Sequence, residues 1–276
     1  MEYHELSSIL TEDGIYADFS YAKRTIVAAT RRREEAHIHD YCEIYFNLQG
    51  DVSFSVENTI YPVESGDLII TMPNEVHYCI YNGDCTHEHY CLWIRAAEPF
   101  QPLLSPFVER ERGQGNRIRL DERDKEALGR WLDTLLRERD VEHRVTVKSG
   151  AAVMNILNLL NDVKHQTAAP LHLPELLREI LAYIDRELGK VWSVQGLCDT
   201  FFISRSSLAR LFKRYLGTTP SKYVENKRLA LAKRLLEEGL SVQATCERCG
   251  FPDYSHFIAL FRTRFGITPF QYSLKQ

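Results

Sequence analysis

The chain has 276 residues, of which 44% are hydrophobic and 26% charged, and its formal net charge is −4. This length is enough for two domains with their own cores, and the absence of an apolar run of about 20 residues excludes a membrane-spanning helix. The seven cysteines lack the spacing of a disulfide scaffold and the first residues (MEYHE) lack the pattern of a signal peptide, which together predict reduced thiols in a cytoplasmic protein.

Residues 16–95 have the pattern of short β-strands separated by turns. CEIYFNLQ (42–49) is β-rich and ends at a Gly-Asp turn, VSFSV (52–56) alternates, and Ser-Gly-Asp precedes LIITM (68–72). Regularly spaced strands with glycine turns favour an antiparallel barrel or sandwich. We therefore expect residues 1–100 to form an antiparallel β-barrel.

Two motifs within this region resemble those of the cupin fold. The first consists of His37, His39 and Glu43 followed by Gly50, and the second of Gly66, Pro73 and His77. The resemblance implies a cupin-like barrel.

His37, His39, Glu43 and His77 have the strand parity to meet inside this barrel. Three imidazoles and a carboxylate suit Zn, Ni, Fe or Mn, so a divalent transition metal is a candidate, although none is required. In the alternatives, the barrel holds only an organic effector, or the histidines form hydrogen bonds within its wall.

Further inward-facing side chains are candidates for an effector pocket. Tyr45, Asn47, Trp93 and Arg95 combine aromatic surface with a few polar groups, which suits a sugar or a small acid. His37, His39, Glu43 and His77 belong to the same pocket. The alternative is that Tyr45 and Trp93 are ordinary core residues. His87 and His89 are expected to be polar residues of the surface or wall without a ligand role.

Residues 101–165 are predicted to be mainly helical, with helices over 120–139 and 147–164. Both helices carry apolar stripes, one around Trp131 and Leu135 and the other around Ile156 and Leu159. Two stripes are more than the flank of a small barrel needs, and either packing on the barrel or a homodimer through residues 120–164 would bury them. Residues 166–174 contain two prolines and are predicted to be a linker.

Residues 175–276 contain a short module twice. Residues 202–223 recur as 251–272 at an offset of 49, and Ser193-Val-Gln recurs as Ser241-Val-Gln at an offset of 48, so one residue is gained in the turn. The residue pairs at the longer offset are Phe202/Phe251, Ser206/Ser255, Leu211/Leu260, Phe212/Phe261, Gly217/Gly266, Thr219/Thr268, Pro220/Pro269 and Tyr223/Tyr272. Two copies are too few for a solenoid, and this is a duplicated module.

Each copy has the pattern of two short helices joined by a tight turn. Ser193 and Ser204 are placed to cap the helices of the first copy, and Ser241 and Asp253 those of the second. Residues 222–238 contain no helix breaker and predict one long connecting helix. Two helix-turn-helix units on a rigid connecting helix suit two successive major-groove segments of DNA.

This arrangement resembles the AraC/XylS family of transcription regulators. The resemblance rests on the serine-capped recognition helix, Arg228 in the connecting helix, Gly250-Phe251 and the closing Gly266-Ile-Thr-Pro. It implies an α+β multidomain protein in which an effector-sensing cupin and a helical hairpin precede an all-α DNA-binding domain. The implied partners are promoter DNA, a small-molecule effector and RNA polymerase. The resemblance also favours a homodimer through residues 120–164 over packing of the stripes on the barrel.

The charge distribution supports DNA as the partner. Residues 175–276 contain sixteen Lys/Arg against ten Asp/Glu, a net +6, so the remainder carries −10. The residues predicted to enter the major groove are Arg205, Ser206, Ala209, Arg210, Tyr254, Ser255, His256 and Ala259. Those predicted to meet phosphates are Lys213, Arg214, Lys222, Arg228, Arg262 and Arg264. Cys246 and Cys249 are expected to be packing residues rather than a zinc or redox pair.

Two other functions remain open at this point. One is a metal-dependent cupin enzyme with an appended DNA-binding domain. The other is a DNA-binding protein whose barrel serves only to dimerise it.

Overall fold

A computed structural model describes residues 4–9, 14–27, 37–39, 41–57, 59–138, 146–163, 173–190 and 193–274. The chain forms two compact units. The first comprises residues 1–34 and 39–171, and the second residues 35–38 and 172–276. Most of the predicted linker at 166–174 lies outside the described residues. No helix in the described ranges is long and apolar enough to cross a membrane.

The first unit is an antiparallel β-domain with flanking helices. Its strands are β1 (His4–Ile9), β2 (Ile15–Ile26), β3 (Cys42–Gln49), β4 (Val52–Val56), β5 (Thr59–Val63), β6 (Asp67–Thr71), β7 (His77–Tyr81), β8 (Cys85–Ala96) and β9 (Arg117–Arg119). Its helices are a 3-10 turn (Gln101–Leu104), α1 (Ser105–Val108), α2 (Glu122–Arg137) and α3 (Val147–Asp162). The predicted β-region and helical hairpin are confirmed, but β9 is a strand within the segment expected to be helical.

The strands form two sheets around a common interior. A six-stranded sheet has the order β1-β2-β8-β3-β6-β9, and a three-stranded sheet has the order β5-β4-β7. Alternate residues of a strand point to opposite faces. Tyr45 and Cys91 therefore lie in the interior with Phe54 of the smaller sheet, whereas Ile44 and Leu92 lie on the outer face of the large sheet.

The helical hairpin covers that outer face. Leu135, Ile156 and Leu159 are buried in one cluster with the outward strand residues of the large sheet. The apolar stripes are thus buried by packing within the first unit. The prediction that Leu135, Ile156 and Leu159 form a dimer interface is wrong. Burial against the sheet satisfies a helical stripe in the same way as burial against a second subunit.

Residues 173–190 and 193–274 of the second unit form helices joined by turns. Its helices are α4 (Glu175–Arg186), α5 (Val194–Thr200), α6 (Arg205–Leu211), a π-turn (Phe212–Leu216), α7 (Pro220–Glu237), α8 (Val242–Arg248), α9 (Tyr254–Phe265) and α10 (Pro269–Ser273). All four predicted caps accept a hydrogen bond from a backbone N–H of the first helical turn. The long connecting helix is α7, and the tandem helix-turn-helix arrangement is confirmed.

The structure corrects the alignment of the two turns. Phe202 (φ +50°) and Gly250 (φ +73°) are the left-handed residues of their turns. The next residues, Ile203 and Phe251, donate backbone hydrogen bonds to the equivalent carbonyls of Cys198 and Cys246. Phe202 therefore corresponds to Gly250 and not to Phe251, and the extra residue of the second copy follows the turn glycine.

The cysteines are buried apart from Cys85, which is half-buried. Cys246 and Cys249 belong to the core of the second helix-turn-helix unit, which confirms that they are packing residues. Burial raises the pKa of the Cys249 thiol to about 12, so this thiol stays protonated and unreactive near neutral pH.

Candidate nucleic-acid interface and ligand site

The two recognition helices are α6 and α9, the second helix of each helix-turn-helix unit. Each buries one face, around Leu208 and Phe212 in the first unit and around Phe257 and Phe261 in the second. All eight residues predicted for the major groove lie on the solvent-exposed sides of these helices: Arg205, Ser206, Ala209, Arg210, Tyr254, Ser255, His256 and Ala259.

Local contacts distinguish the two arginines of the first recognition helix. Arg205 donates from Nε to Gln195 Oε1 at 2.7 Å, which ties it to α5. Arg210 makes a longer contact, from Nη2 to Ser207 Oγ at 3.3 Å. The guanidinium of Arg210 is therefore better placed for a bidentate contact to an external acceptor.

The cations predicted to meet phosphates differ in their exposure. Lys213, Arg214 and Arg262 are exposed, and Arg264 is half-buried. Lys222 donates to Glu225 at 2.8 Å within the same helix, so binding to a phosphate requires it to exchange that partner.

Arg228 does not belong with these cations. It is 8% exposed and donates from Nε to Leu188 O at 3.2 Å and from Nη2 to Lys190 O at 2.6 Å. Its guanidinium also lies 5.9 Å from the Phe251 ring. The predicted phosphate contact is wrong, because the side chain ties α7 to the α4–α5 loop.

The interior of the first unit contains a carboxylate surrounded by rings. Glu43 Oε2 lies 2.7 Å from His39 Nε2 and 3.3 Å from His77 Nε2. Trp93 donates from Nε1 to the same oxygen at 2.7 Å. Four residues predicted to line the pocket are thus brought together.

Backbone carbonyls orient both imidazoles. His39 Nδ1 lies 3.1 Å from Tyr41 O, and His77 Nδ1 lies 2.8 Å from Glu75 O. Because a carbonyl only accepts, each Nδ1 carries a hydrogen and each Nε2 faces the Glu43 carboxylate. Two ring nitrogens and a carboxylate oxygen at this spacing require either protons or a cation between them.

The pKa shifts of Glu43 and His77 reflect the contact between them. Burial raises the pKa of Glu43, but the charge of His77 and hydrogen bonds from His39 and His77 outweigh it and hold the pKa well below its ordinary value. Burial lowers the pKa of His77, and Glu43 outweighs it, so the net shift is upward. The site therefore favours the charged form of both partners.

His39, Glu43 and His77 also belong to a candidate metal-ligand set, together with His37. The ligand atoms of His37, His39, Glu43 and His77 all lie within 4.8 Å of one another. Nitrogen and carboxylate ligands of this number suit a tetrahedral or open transition-metal site, and hydrogen bonds from Nδ1 to carbonyls are typical of metal-ligating histidines. The residues present fit a divalent transition metal.

A second polar cluster lies in the same interior. His87 and His89, expected to be polar residues of the surface or wall, are buried with their rings stacked at 4.3 Å. His87 Nε2 lies 2.7 Å from the hydroxyl of Tyr45, which donates to Asn47 Oδ1. Tyr45 and Asn47 thus belong to this cluster rather than to the Glu43 cluster. The signal that could have found it was the parity of His87 and His89 with Trp93 along β8.

Together these features define a class of protein: a tandem helix-turn-helix protein with a β-domain whose interior contains two polar clusters. A family model described as an AraC-like ligand binding domain matches residues 26–181, and one described as a helix-turn-helix domain matches residues 197–275. The chain belongs to the AraC family, with that family's ligand-binding and helix-turn-helix domains.

Named relatives agree with this assignment. The chain is 38% identical over 91 residues to the probable transcriptional regulator LumQ of Photobacterium leiognathi. These residues are 33% of this chain and 37% of LumQ. It is 25% identical over 228 residues, 80% of each chain, to the uncharacterized HTH-type transcriptional regulator YbfI of Bacillus subtilis. The chain thus spans about a third of the first of these relatives.

A solved structure of a transcriptional regulator with an AraC-type DNA-binding domain, from Chromobacterium violaceum, is 34% identical to this chain. The match covers 36% of this chain and 90% of that structure, with a TM-score of 0.34.

Proposed function

We propose that the protein is a sequence-specific DNA-binding transcription regulator controlled by a small molecule in the interior of its β-domain. The observation that carries the first half is the pair of capped recognition helices with exposed polar and basic faces. The second half is supported by the polar clusters inside a β-domain of the AraC ligand-binding family. The proposal includes RNA polymerase as a protein partner and the cytoplasm as the location.

The DNA contacts follow from the exposed residues of the second unit. We assign base contacts to the eight exposed residues of α6 and α9. Phosphate contacts are assigned to Lys213, Arg214, Lys222, Arg262 and Arg264. Arg228 is left out because its guanidinium is committed to backbone carbonyls.

Salt dependence tests the DNA interface. With about five phosphate contacts, the logarithm of the DNA association constant should fall with log salt at a slope of about −4 to −5. Arg262→Ala should reduce this slope by about 1, whereas Arg130→Ala, at an exposed position of α2 in the first unit, should leave it unchanged. A flat salt response would refute the assigned face.

We propose further that the Glu43 cluster holds a divalent transition metal when one is supplied. The convergence of the His39 and His77 Nε2 atoms on one carboxylate oxygen supports this, since a cation would satisfy all three. The metal would join His37, His39, Glu43 and His77. Its proposed role is to organise the interior for sensing rather than for catalysis, and metal-dependent turnover of a substrate would contradict that role.

Metal content tests this site directly. Tag-free protein purified without chelators should contain Zn, Ni, Fe or Mn, and added metal should raise the melting temperature by mass action. His39→Ala and Glu43→Gln should lower both quantities, whereas His256→Ala, which changes an exposed histidine of the second unit, should alter neither. Equal metal content in all four proteins would contradict the proposal.

The predicted homodimer through residues 120–164 needs a different surface from the buried stripes. The outward face of α3 is largely uncharged, in contrast to the exposed face of α2. Its exposed residues are Val147, Lys148, Ala151, Met154, Asn155, Asn158, Asn161 and Asp162, and the two charged ones lie near the ends of the helix. Val147 is 91% exposed and Met154 41% exposed. We propose that this face packs against its copy in a second subunit.

Light scattering distinguishes the two surfaces. Met154→Glu should give folded monomers, because it places a charge in an interface that the proposal requires to be dry. Arg130→Glu, on the exposed face of α2, should remain dimeric. Leu135→Glu should instead unfold the first unit. If Met154→Glu remains dimeric, α3 is not the interface.

A further inference from the structure

The His87–His89 pair lies beside a permanent positive charge on the inner face of the large sheet. In the β2–β8 register, Arg24 is the cross-strand partner of His87, and Ala22 is the partner of His89. Cross-strand partners share a face of the sheet, so Arg24 lies on the same face as the stacked rings. Ala22 places only a methyl group opposite His89.

His87 is held in place by its neighbours. It contacts the hydroxyls of Tyr45 and Tyr81, at 2.7 Å from Nε2 and 3.3 Å from Nδ1. A Cβ at Gly50 would lie 3.0 Å from its ring, so the backbone of the β3–β4 turn packs tightly against it. A ring held in this way would present a fixed surface to a ligand bound beside it.

His89 supplies the unsatisfied group. Its Nδ1 is buried and has no hydrogen-bond partner among the described residues, and the residue as a whole is 7% exposed. A buried polar atom without a partner destabilises the folded state. A ligand that hydrogen-bonds this atom would remove that destabilisation.

Arg24 acts electrostatically on both histidines. Burial and the charge of Arg24 lower the pKa of His87 to about 4. Burial, His87 and Arg24 lower the pKa of His89 to about 3, and Glu43 opposes this only weakly. Both imidazoles are therefore neutral near pH 7 and can donate hydrogen bonds without repelling Arg24.

We infer that this end of the interior binds the carboxylate of a small organic acid, with Arg24 as the charge partner and His89 as a hydrogen-bond donor. The inference rests on the proposed sensing function and selects an acid over a neutral sugar as the effector. A sugar hydroxyl could satisfy His89, but it would make only a neutral contact with Arg24. Charge-assisted bonds are roughly twice as strong as neutral ones.

Paired probes test the inference on the full-length chain. The probes are the straight-chain monocarboxylates from butanoate to octanoate and benzoate, each with its primary amide, and D-glucose. Melting temperature and calorimetry should detect binding of at least one carboxylate and of none of the amides. Arg24→Gln and His89→Phe should each weaken that binding by about tenfold or more.

Lys23→Gln is the matched control. Lys23 is the neighbour of Arg24 in β2, but it faces the other way and pairs with Glu88 at 2.8 Å, so its loss should leave binding unchanged. Equal binding of carboxylates and amides, no binding of any carboxylate, or full binding by Arg24→Gln would overturn the inference. If the same samples bind DNA in a salt-dependent way, the proposed DNA-binding function stands even when the carboxylate inference fails.

Discussion

Phe202 and Gly250 occupy the same left-handed position in the two helix-turn-helix turns, with φ values of +50° and +73°. Glycine adopts this conformation freely, whereas an L-residue is strained in it. Phe202 is also 97% exposed, so its ring gains little from packing. At Gly250, by contrast, a Cβ would lie 2.6 Å from Gly189 O.

These two positions should respond oppositely to substitution. Phe202→Gly should stabilise the second unit by about 0.5 kcal/mol, since the relief of strain exceeds the added chain entropy. Gly250→Ala should destabilise it by about 2 kcal/mol or more, since backbone must move. Urea unfolding measures both changes, and hydrogen exchange of the α5 and α8 amides assigns them to this unit. Equal losses from both variants would contradict this account.

Arg228 should prove to be a stabilising residue and not a DNA contact. Arg228→Met removes the donors to the carbonyls of Leu188 and Lys190, and should cost about 2 kcal/mol of the free energy of unfolding. The salt slope of DNA binding should stay at the wild-type value under conditions where the variant is folded. Arg262→Ala, with an exposed side chain, is the comparison and should change the slope with little effect on stability. A reduced slope for Arg228→Met would restore Arg228 to the phosphate contacts.

The two recognition helices should read sequence with different strictness. Arg210 can bind guanine through two hydrogen bonds, so Arg210→Ala should cost roughly 1–3 kcal/mol at one base position and relax preference there. His256→Ala should cost less and spread its effect over several positions. Selection of bound sites from random DNA measures both outcomes. Equal losses on every sequence for Arg210→Ala would make it a phosphate contact.

His87 and His89, whose pKa values are lowered by burial, should make the first unit sensitive to acid. The folded-state pKa of His89, about 3, lies below the ordinary 6.5. Their contribution to stability is therefore complete above pH 6.5 and is lost as the pH falls. Linkage predicts a loss of about 1 kcal/mol per histidine at pH 5.5 relative to pH 7.5. His89→Leu should remove its share of that loss, measured by urea unfolding at both values. An unchanged difference between the two pH values would contradict the shift.

Local features of the second unit could be predicted because they depend on neighbours in sequence. The caps at Ser204 and Asp253, the connecting helix and the exposed faces of α6 and α9 follow from hydrogen bonds and periodicity within a few residues. The alignment of the two turns could not be predicted in the same way. Phe202 and Phe251 are identical residues, so the sequence repeat aligns them. The structure instead pairs Phe202 with Gly250, because both have a left-handed backbone conformation that a phenylalanine in the sequence does not indicate.

In the first unit, strand parity located the interior residues but not their partners. Parity placed Glu43, Tyr45 and Trp93 on one face, and the structure then divided them between two polar clusters. It also placed His87 on that face, where sequence alone does not distinguish a buried histidine from an exposed one.

By itself, the sequence determined the succession of a β-region and helical regions, the duplicated helix-turn-helix module and the periodic faces of strands and helices. Only the tertiary structure decided what each face meets. The stripe around Ile156 meets the β-sheet and not a second subunit, and the guanidinium of Arg228 meets two carbonyls and not a phosphate. Periodicity indicates which side chains are turned away from water. It does not indicate what they contact, because the contacting residues are distant in the sequence.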